Sequence, residues 1–292
     1  MRKVREERKS VFYKGLLFGV ISIGILSFAY YCFVHQRNQV TQFNYSPSHR
    51  PKAAIVDHLS ITFPNQVFVE ECSSLLREAG FDVDYYKGDN ATVELYKNLP
   101  GYGYDLIVFR VHLAYHNSYK NTSLAMFTSE PYSTRRYIYE QLDDRVGRGW
   151  LAPYRKGDPY LVVNDKFVRF STYGEFKDTL IIMMGCSGLK QNVLAAAFLE
   201  KGAKAYIGWN GPVTAAHTDK ATIQFLKHFL IERQTIAKAL EQTREEVGYE
   251  SQYRSTLVLW PLKEEEFIFK NISSTVDRGI VPSVVSSSTT AA

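Results

Sequence analysis

Along the chain, short apolar runs of strand type alternate with stretches whose apolar positions recur at helical spacing. Ala53–Val56 (AAIV) reads as a short buried strand. Gln66–Ala79 follows as a helix, with Val67, Phe68, Cys72, Leu75, Leu76 and Ala79 near one face and Gly80 as its stop. Phe81–Tyr85 alternates as a second strand, Thr92–Asn98 is a short helix, and Asp105–Val111 (DLIVFRV) is a third strand. Thr179–Met184 (TLIIMM) is a fourth strand, followed by a helix over Asn192–Lys201 that stops at Gly202. Ala203–Gly208 is a fifth, helices cover about Thr218–Ile231 and Thr235–Val247, and Thr256–Trp260 closes the pattern as a last strand.

Strands alternating with helices imply right-handed crossovers, a mostly parallel sheet and helices on both faces. The expected class is therefore α/β, a three-layer sandwich. Runs as continuous as TLIIMM suit strands buried on both sides. Residues 113–178 break the rhythm. They carry a predicted helix (Ser133–Val146) and a hairpin-like pair, LVV and FVRF, around Asn164-Asp165-Lys166. This segment reads as an insertion over the carboxyl edge of the sheet.

The ends differ from the body. Gly15–Val34 is 20 residues without a charged side chain, enough to cross the ~30 Å of bilayer hydrocarbon as one helix. It closes on Ala29, Tyr30, Tyr31, Cys32, Phe33 and Val34, mostly bulky residues that make a poor signal-cleavage site and suit a membrane interface. Arg2, Lys3, Arg5, Arg8, Lys9 and Lys14 precede it, and the lone Arg37 follows closely. The positive-inside rule then places residues 1–14 in the cytoplasm and the body outside, on a single-pass anchor in the cell membrane. Residues 35–52, polar with Pro47 and Pro51, read as a stalk; 53–272 form the body; 273–292, ending SVVSSSTTAA, read as a disordered tail. The sequons at Asn44, Asn90, Asn121 and Asn271 all lie beyond the anchor.

Composition changes this picture little. The chain has 292 residues, 45% hydrophobic, with a formal net charge of +5 concentrated near the amino terminus. No basic stripe interleaved with aromatics runs through the body, which argues against a nucleic-acid partner. Of three cysteines, Cys72 and Cys186 fall in the body, and a single bridge between them is one option. His116, His217 and His228 show no metal-ligand spacing, and no glycine-rich phosphate loop follows the first strand, so neither metal nor cofactor is expected.

Sites on open α/β sheets lie just past the carboxyl ends of strands. His112 ends the third strand and Cys186 the fourth. If those strands are neighbours, ~4.8 Å apart, both side chains can face one gap. A thiol of ordinary pKa is mostly protonated at neutral pH, and an adjacent imidazole raises its thiolate fraction or takes its proton during attack. Ser187, Gly188 and a following helix would place backbone N–H groups near the sulfur, suited to an oxyanion. Asp57 and His58 end the first strand, where Asp57 can line the same edge or cap a turn. Trp209 and Asn210 follow the fifth strand and can wall a substrate pocket.

Two segments carry a family resemblance: LIVFRVH at 106–112 and, later, LIIMMGC at 180–186, each an apolar strand ending in a reactive residue. With FLEKGAKAYIGWNGPV (198–213), Asp219 and TIAKALEQT (235–243), the chain resembles the caspase-like cysteine peptidases, a superfamily that includes caspases, gingipains and CHAT domains. The resemblance covers about residues 52–247. It implies His112 as general base, Cys186 as nucleophile and a protein or peptide substrate cleaved through an acyl-enzyme. Leu113 departs from the small residue that often follows the His, and Met184-Gly185 replaces the caspase Gln-Ala before the Cys. That leaves a second reading, an inactive caspase-like binding or sensory ectodomain. A third reading takes Met184-Gly185-Cys186-Ser187-Gly188 as a loose G-x-C-x-G nucleophile elbow, similar to that of glutamine amidotransferases but with Met184 in place of the first Gly, and His217 as the base.

Overall fold

The computed structural model describes residues 50–117, 122–151 and 157–269. The chain enters through β1 (Lys52–Asp57), β2 (Asp82–Lys87) and β3 (Leu106–Arg110), then a second set, β4 (Leu113–Asn117), β5 (Thr122–Pro131), β6 (Val146–Gly149) and β7 (Tyr160–Asn164). It returns through β8 (Leu180–Met183), β9 (Ala205–Trp209) and β10 (Leu257–Trp260). The helices are α1 (Gln66–Glu78), α2 (Val93–Asn98), α3 (Ile138–Leu142), α4 (Asp165–Ser171), α5 (Val193–Glu200), α6 (Ala215–Leu226) and α7 (Ile236–Val247). A π-helical turn, Lys227–Ile231, follows α6.

The central sheet has the order β10-β9-β8-β3-β1-β2. Its pairs are parallel except the last, β10 on β9. This is the mixed α/β architecture with a mostly parallel sheet that the alternating pattern predicts. Every residue of β3, β8 and β9 is buried, as expected of strands covered on both faces. On one face, Val108, Ile182 and Ile207 pack with Phe68 and Leu76 of α1, Phe225 and Leu226 of α6 and Ile236 of α7. On the other, Ile107, Phe109 and Ile181 pack with Tyr96 of α2 and with Leu194 and Phe198 of α5.

Local chemistry sets the helix limits. The Asn65 side chain accepts from Phe68 N–H at 3.2 Å and starts α1. After α5 the chain turns at Gly202, where φ is +95° and an added Cβ would lie 2.1 Å from the Phe176 carbonyl oxygen. Only glycine fits there. Val67, expected on the inner stripe of α1, is instead 70% exposed.

Residues 113–178 depart further from expectation. They build their own antiparallel sheet, β4-β5-β7-β6, whose Leu124, Met126, Leu161 and Val163 join the buried cluster on the α2/α5 face. The segment thus covers one face of the central sheet. The expected hairpin at Asn164-Asp165-Lys166 is a strand followed by a helix: Asn164 caps α4 by accepting from Phe167 N–H at 3.1 Å. Phe167, Val168 and Ser171 then face inward at helical spacing. The helix expected over Ser133–Val146 shrinks to α3, which buries no side chain and is bracketed by left-handed Tyr137 and Asp144.

The strand β1 begins at Lys52, the last residue of the expected stalk. No helix among the described residues is long and apolar enough to cross a membrane. The predicted anchor at 15–34, the tail at 273–292 and the sequons at Asn44, Asn121 and Asn271 lie outside the described residues.

Candidate active site

The carboxyl ends of the parallel strands gather the candidate residues along one edge. Strands β3 and β8 are direct neighbours, paired from Leu106 with Leu180 to Phe109 with Met183. His112 lies two residues past the end of β3 and Cys186 three past the end of β8, so both follow neighbouring strands at the same edge of the sheet. On the other side of β3, β1 brings Asp57 opposite Arg110.

The residues beneath His112 form a buried ionic cluster. Arg110 has no solvent exposure. Its guanidinium meets Asp57 at 2.8 Å, both carboxylate oxygens of Asp219 at 2.7 and 2.8 Å, and the Phe63 carbonyl at 2.9 Å. A rigid five-donor fork is suited to such a cage. Asp57 also takes the Tyr85 hydroxyl at 3.1 Å and the Ser60 N–H at 3.0 Å. Asn65 donates to Asp219 at 2.9 Å.

His112 is partly buried. Its Nε2 lies 2.8 Å from the Thr62 hydroxyl, and its backbone carbonyl accepts the Phe127 N–H at 3.1 Å. Aromatic rings enclose it: His58 edge-on at 5.7 Å, Phe63 at 5.9 Å and Phe127 at 6.1 Å between centroids. Burial, then the Arg110 charge, lowers its pKa to about 4. His58 is fully buried, and neither ring nitrogen makes a hydrogen bond. Burial first and His112 second lower its pKa to about 3, opposed by the approach of the Thr128 backbone, which stops short of a hydrogen bond of ordinary geometry. Both imidazoles are therefore neutral at physiological pH.

Cys186 sits in the turn after β8 and is partly exposed. It is a free thiol, as is buried Cys72, so the two form no bridge. The thiol donates to the Val213 carbonyl at 3.3 Å. The next residue, Ser187, has φ +59°, a strained backbone of the kind that concentrates at functional sites. Its N–H is committed to the Gly211 carbonyl at 2.8 Å. That removes it from the oxyanion donors suggested by the sequence. Residues 186–190 are turn, and α5 starts only at Val193.

The remaining candidates fall as follows. Asp57 has no exposure and is held by Arg110. Trp209 is 1% exposed; its indole donates to the Thr218 hydroxyl at 2.8 Å, which donates to the Met184 carbonyl at 3.0 Å. In this structure both side chains are closed to solvent. Asn210 is exposed, and its side chain accepts the Thr256 N–H at 3.0 Å. His217 packs edge-on against Trp209 at 5.5 Å, with Nε2 buried and unbonded. Leu113 is 8% exposed and fills the space over the cysteine turn: a Cβ on Gly185 would lie 2.5 Å from its Cγ.

Arg110, Asp219, Thr62 and Val213 carry much of this geometry without having been singled out as site residues. A signal existed for Arg110, a lone cation inside an apolar strand and two residues before His112, hence on the same face. Nothing in the sequence marked Thr62.

No protein-family profile matches the chain, and no curated protein matches it. Among solved structures it is similar to the crystal structure of the Arg-specific cysteine proteinase gingipain R, at 11% identity and a TM-score of 0.39, over 82% of this chain and 50% of that one. The chain thus spans half the length of that proteinase.

Proposed function

We propose that the chain is a membrane-anchored, extracytoplasmic cysteine endopeptidase with a caspase-like body, in which His112 and Cys186 act on a protein or peptide substrate. One observation carries the reading: β3 and β8 are neighbouring parallel strands, and His112 and Cys186 follow them at the same edge of the sheet. A neutral imidazole there can accept a proton. In the proposed reaction the Cys186 thiol gives its proton to His112 and the thiolate adds to the scissile carbonyl carbon. The C–N bond then breaks as the imidazolium returns the proton to the departing amine. Water, deprotonated by His112, attacks the thioester; the carboxylic acid leaves and the thiol is restored. Anchor and compartment rest on the apolar 15–34 stretch and the basic residues before it.

The test treats the full chain with iodoacetamide near neutral pH and maps the modified cysteine by mass spectrometry, beside a peptide-library cleavage assay. Preferential labelling of Cys186, slowed in His112→Ala, and cleavage lost in Cys186→Ala support the reading. Labelling indifferent to His112, with no cleavage, rejects it.

A specific observation favours a second reading, a caspase-like binding or sensory domain without turnover. The thiol is engaged by Val213, Nε2 by Thr62, and Leu113 packs over the cysteine turn. The labelling comparison separates the two.

A further inference from the structure

We infer that the body docks on the bilayer surface through an exposed aromatic patch at its amino edge, formed by α3, the end of α4 and the loop that follows. The inference rests on the membrane-anchored reading and adds which face of the body meets the lipid.

The patch begins in a helix that buries no side chain, α3. Its Ile138, Tyr139 and Leu142 are exposed, Tyr139 at 86% and Leu142 at 75%. Spacings of four and three residues set Ile138 and Tyr139 beside Leu142 on the helix surface. Phe170, near the end of α4, and Tyr173, just after it, are exposed as well. Tyr139, Leu142, Phe170 and Tyr173 line one open cleft of about 450 Å³. The charged groups of that cleft are paired, Lys97 with Glu140 at 2.6 Å and Arg145 with Asp143. Arg145 also lies over the Phe170 ring, 5.6 Å from its centroid. Covering the cleft therefore strands no lone charge. A contiguous apolar surface with a polar rim marks a contact site. Tyrosines set among aliphatic side chains suit the boundary between lipid headgroups and acyl chains.

Its place in the fold selects the occupant. The Tyr173 N–H donates to the Lys97 carbonyl at 2.7 Å. A Cβ on Gly174 would lie 3.2 Å from Gly101 Cα, so this loop packs on residues 97–101. Next in that turn, the carbonyl of exposed Tyr102 accepts from Lys52 Nζ at 3.4 Å. Lys52 opens β1 and marks the amino edge of the sheet: its carbonyl takes the Asp105 N–H, and the Asp105 carbonyl takes the Leu180 N–H, both at 2.8 Å. The chain arrives at this edge from the predicted anchor, through residues 35–49. A flexible tether of about 15 residues averages about 20 Å end to end, less than the ~40 Å width of a domain of this size. The amino edge is thus the one kept close to the bilayer, and the apolar patch lies there. Docked through it, the body holds the carboxyl edge, with His112 and Cys186, at the far ends of the strands and open to an extracytoplasmic substrate.

The test holds the full chain in phosphatidylcholine vesicles and applies hydroxyl-radical footprinting, read by mass spectrometry. Tyr139 reports the patch. Tyr253 reports the opposite edge: it is 46% exposed and precedes β10, whose Leu257 pairs with Trp209 at the carboxyl end of β9. Comparing two residues of one molecule cancels the direction of insertion. Exposure alone makes Tyr139 the faster to react. Docking should make it at least about five-fold slower than Tyr253, because a ring seated in the interface loses most of its water. The double variant Ile138→Glu/Leu142→Glu, at two exposed positions, should restore the fast rate. Wild-type Tyr139 that reacts faster than Tyr253 overturns the docking while the anchor stands. Release of the chain from the vesicles by alkaline carbonate rejects the anchor, and the docking with it. Protection of Tyr139 that grows with the protein-to-lipid ratio assigns the face to a second copy of the chain and also overturns the proposal.

Discussion

Asp219 meets Arg110 edge-on, its Oδ1 accepting from Nε at 2.7 Å and its Oδ2 from Nη2 at 2.8 Å. The pair joins α6 to the central strand β3 at a point closed to water. Charge-assisted bidentate contacts of this kind fix geometry as well as energy.

Removing the guanidinium should therefore be costly. In Arg110→Met, Asp57 and Asp219 remain buried without their counter-charge, and stability should fall by about 3–5 kcal/mol. Arg110→Lys keeps the charge but not the fork, so it should fall between the two. Urea denaturation midpoints of the three proteins check the order. An Arg110→Met variant as stable as wild type would show that the cluster contributes little beyond filling space.

Leu113 and Gly185 should be coupled. A methyl at 185 would meet Leu113 Cγ at 2.5 Å and the Val111 carbonyl at 2.7 Å, and overpacking of this sort costs about 1–3 kcal/mol. Leu113→Ala vacates the first obstacle. Gly185→Ala should thus be less harmful in the Leu113→Ala background, with a coupling energy above about 0.5 kcal/mol in a double-mutant cycle. Strict additivity would mean the Val111 carbonyl alone sets the limit.

Much of the central sheet was legible because its strands are continuous apolar runs, and burial on both faces leaves no other economical reading of TLIIMM or DLIVFRV. The insertion was harder. Asn-Asp is a turn signal and a helix-cap signal at once, and only the inward Phe167 and Val168 decide for the cap at Asn164. Placement of His112 and Cys186 along one edge follows from topology, so it too was within reach. What their side chains touch was not: the hydrogen bonds to Thr62 and Val213 bridge 50 and 27 residues of chain and depend on loops without periodicity. Trp209 shows the same limit. Its position after β9 suggested a pocket wall, whereas its indole bonds Thr218 in the interior.

Cys72 should be silent to thiol reagents until the domain opens. It has no exposure, and burial, reinforced by Asp219 and Asp57, pushes its thiol well above the usual range. The thiolate is the reactive form. Native protein should therefore show Cys72 unmodified under conditions that label Cys186, and Cys72 labelling should follow the unfolding curve in urea. Early modification of Cys72 in native protein would point to local opening of α1.

Acid should destabilise the fold through its two neutral imidazoles. An unfolded histidine titrates near 6.5, whereas folded His58 and His112 are depressed to about 3 and about 4. Between those values the unfolded chain binds protons that the folded one refuses, so stability rises with pH across the window. It is fully present above about 6.5 and is lost as the pH falls toward the folded values. A buried group that takes no proton at pH 5 costs about 2 kcal/mol there relative to neutral pH. His58→Phe replaces two unbonded buried nitrogens with an apolar ring of similar size. It should leave the neutral-pH midpoint unchanged or higher, and it should flatten the fall between about pH 6.5 and 5 by roughly that amount. Urea midpoints across this range, in wild type and His58→Phe, check it. Parallel curves for the two proteins would mean that His58 gains a partner or water on acidification and that the loss comes from other groups.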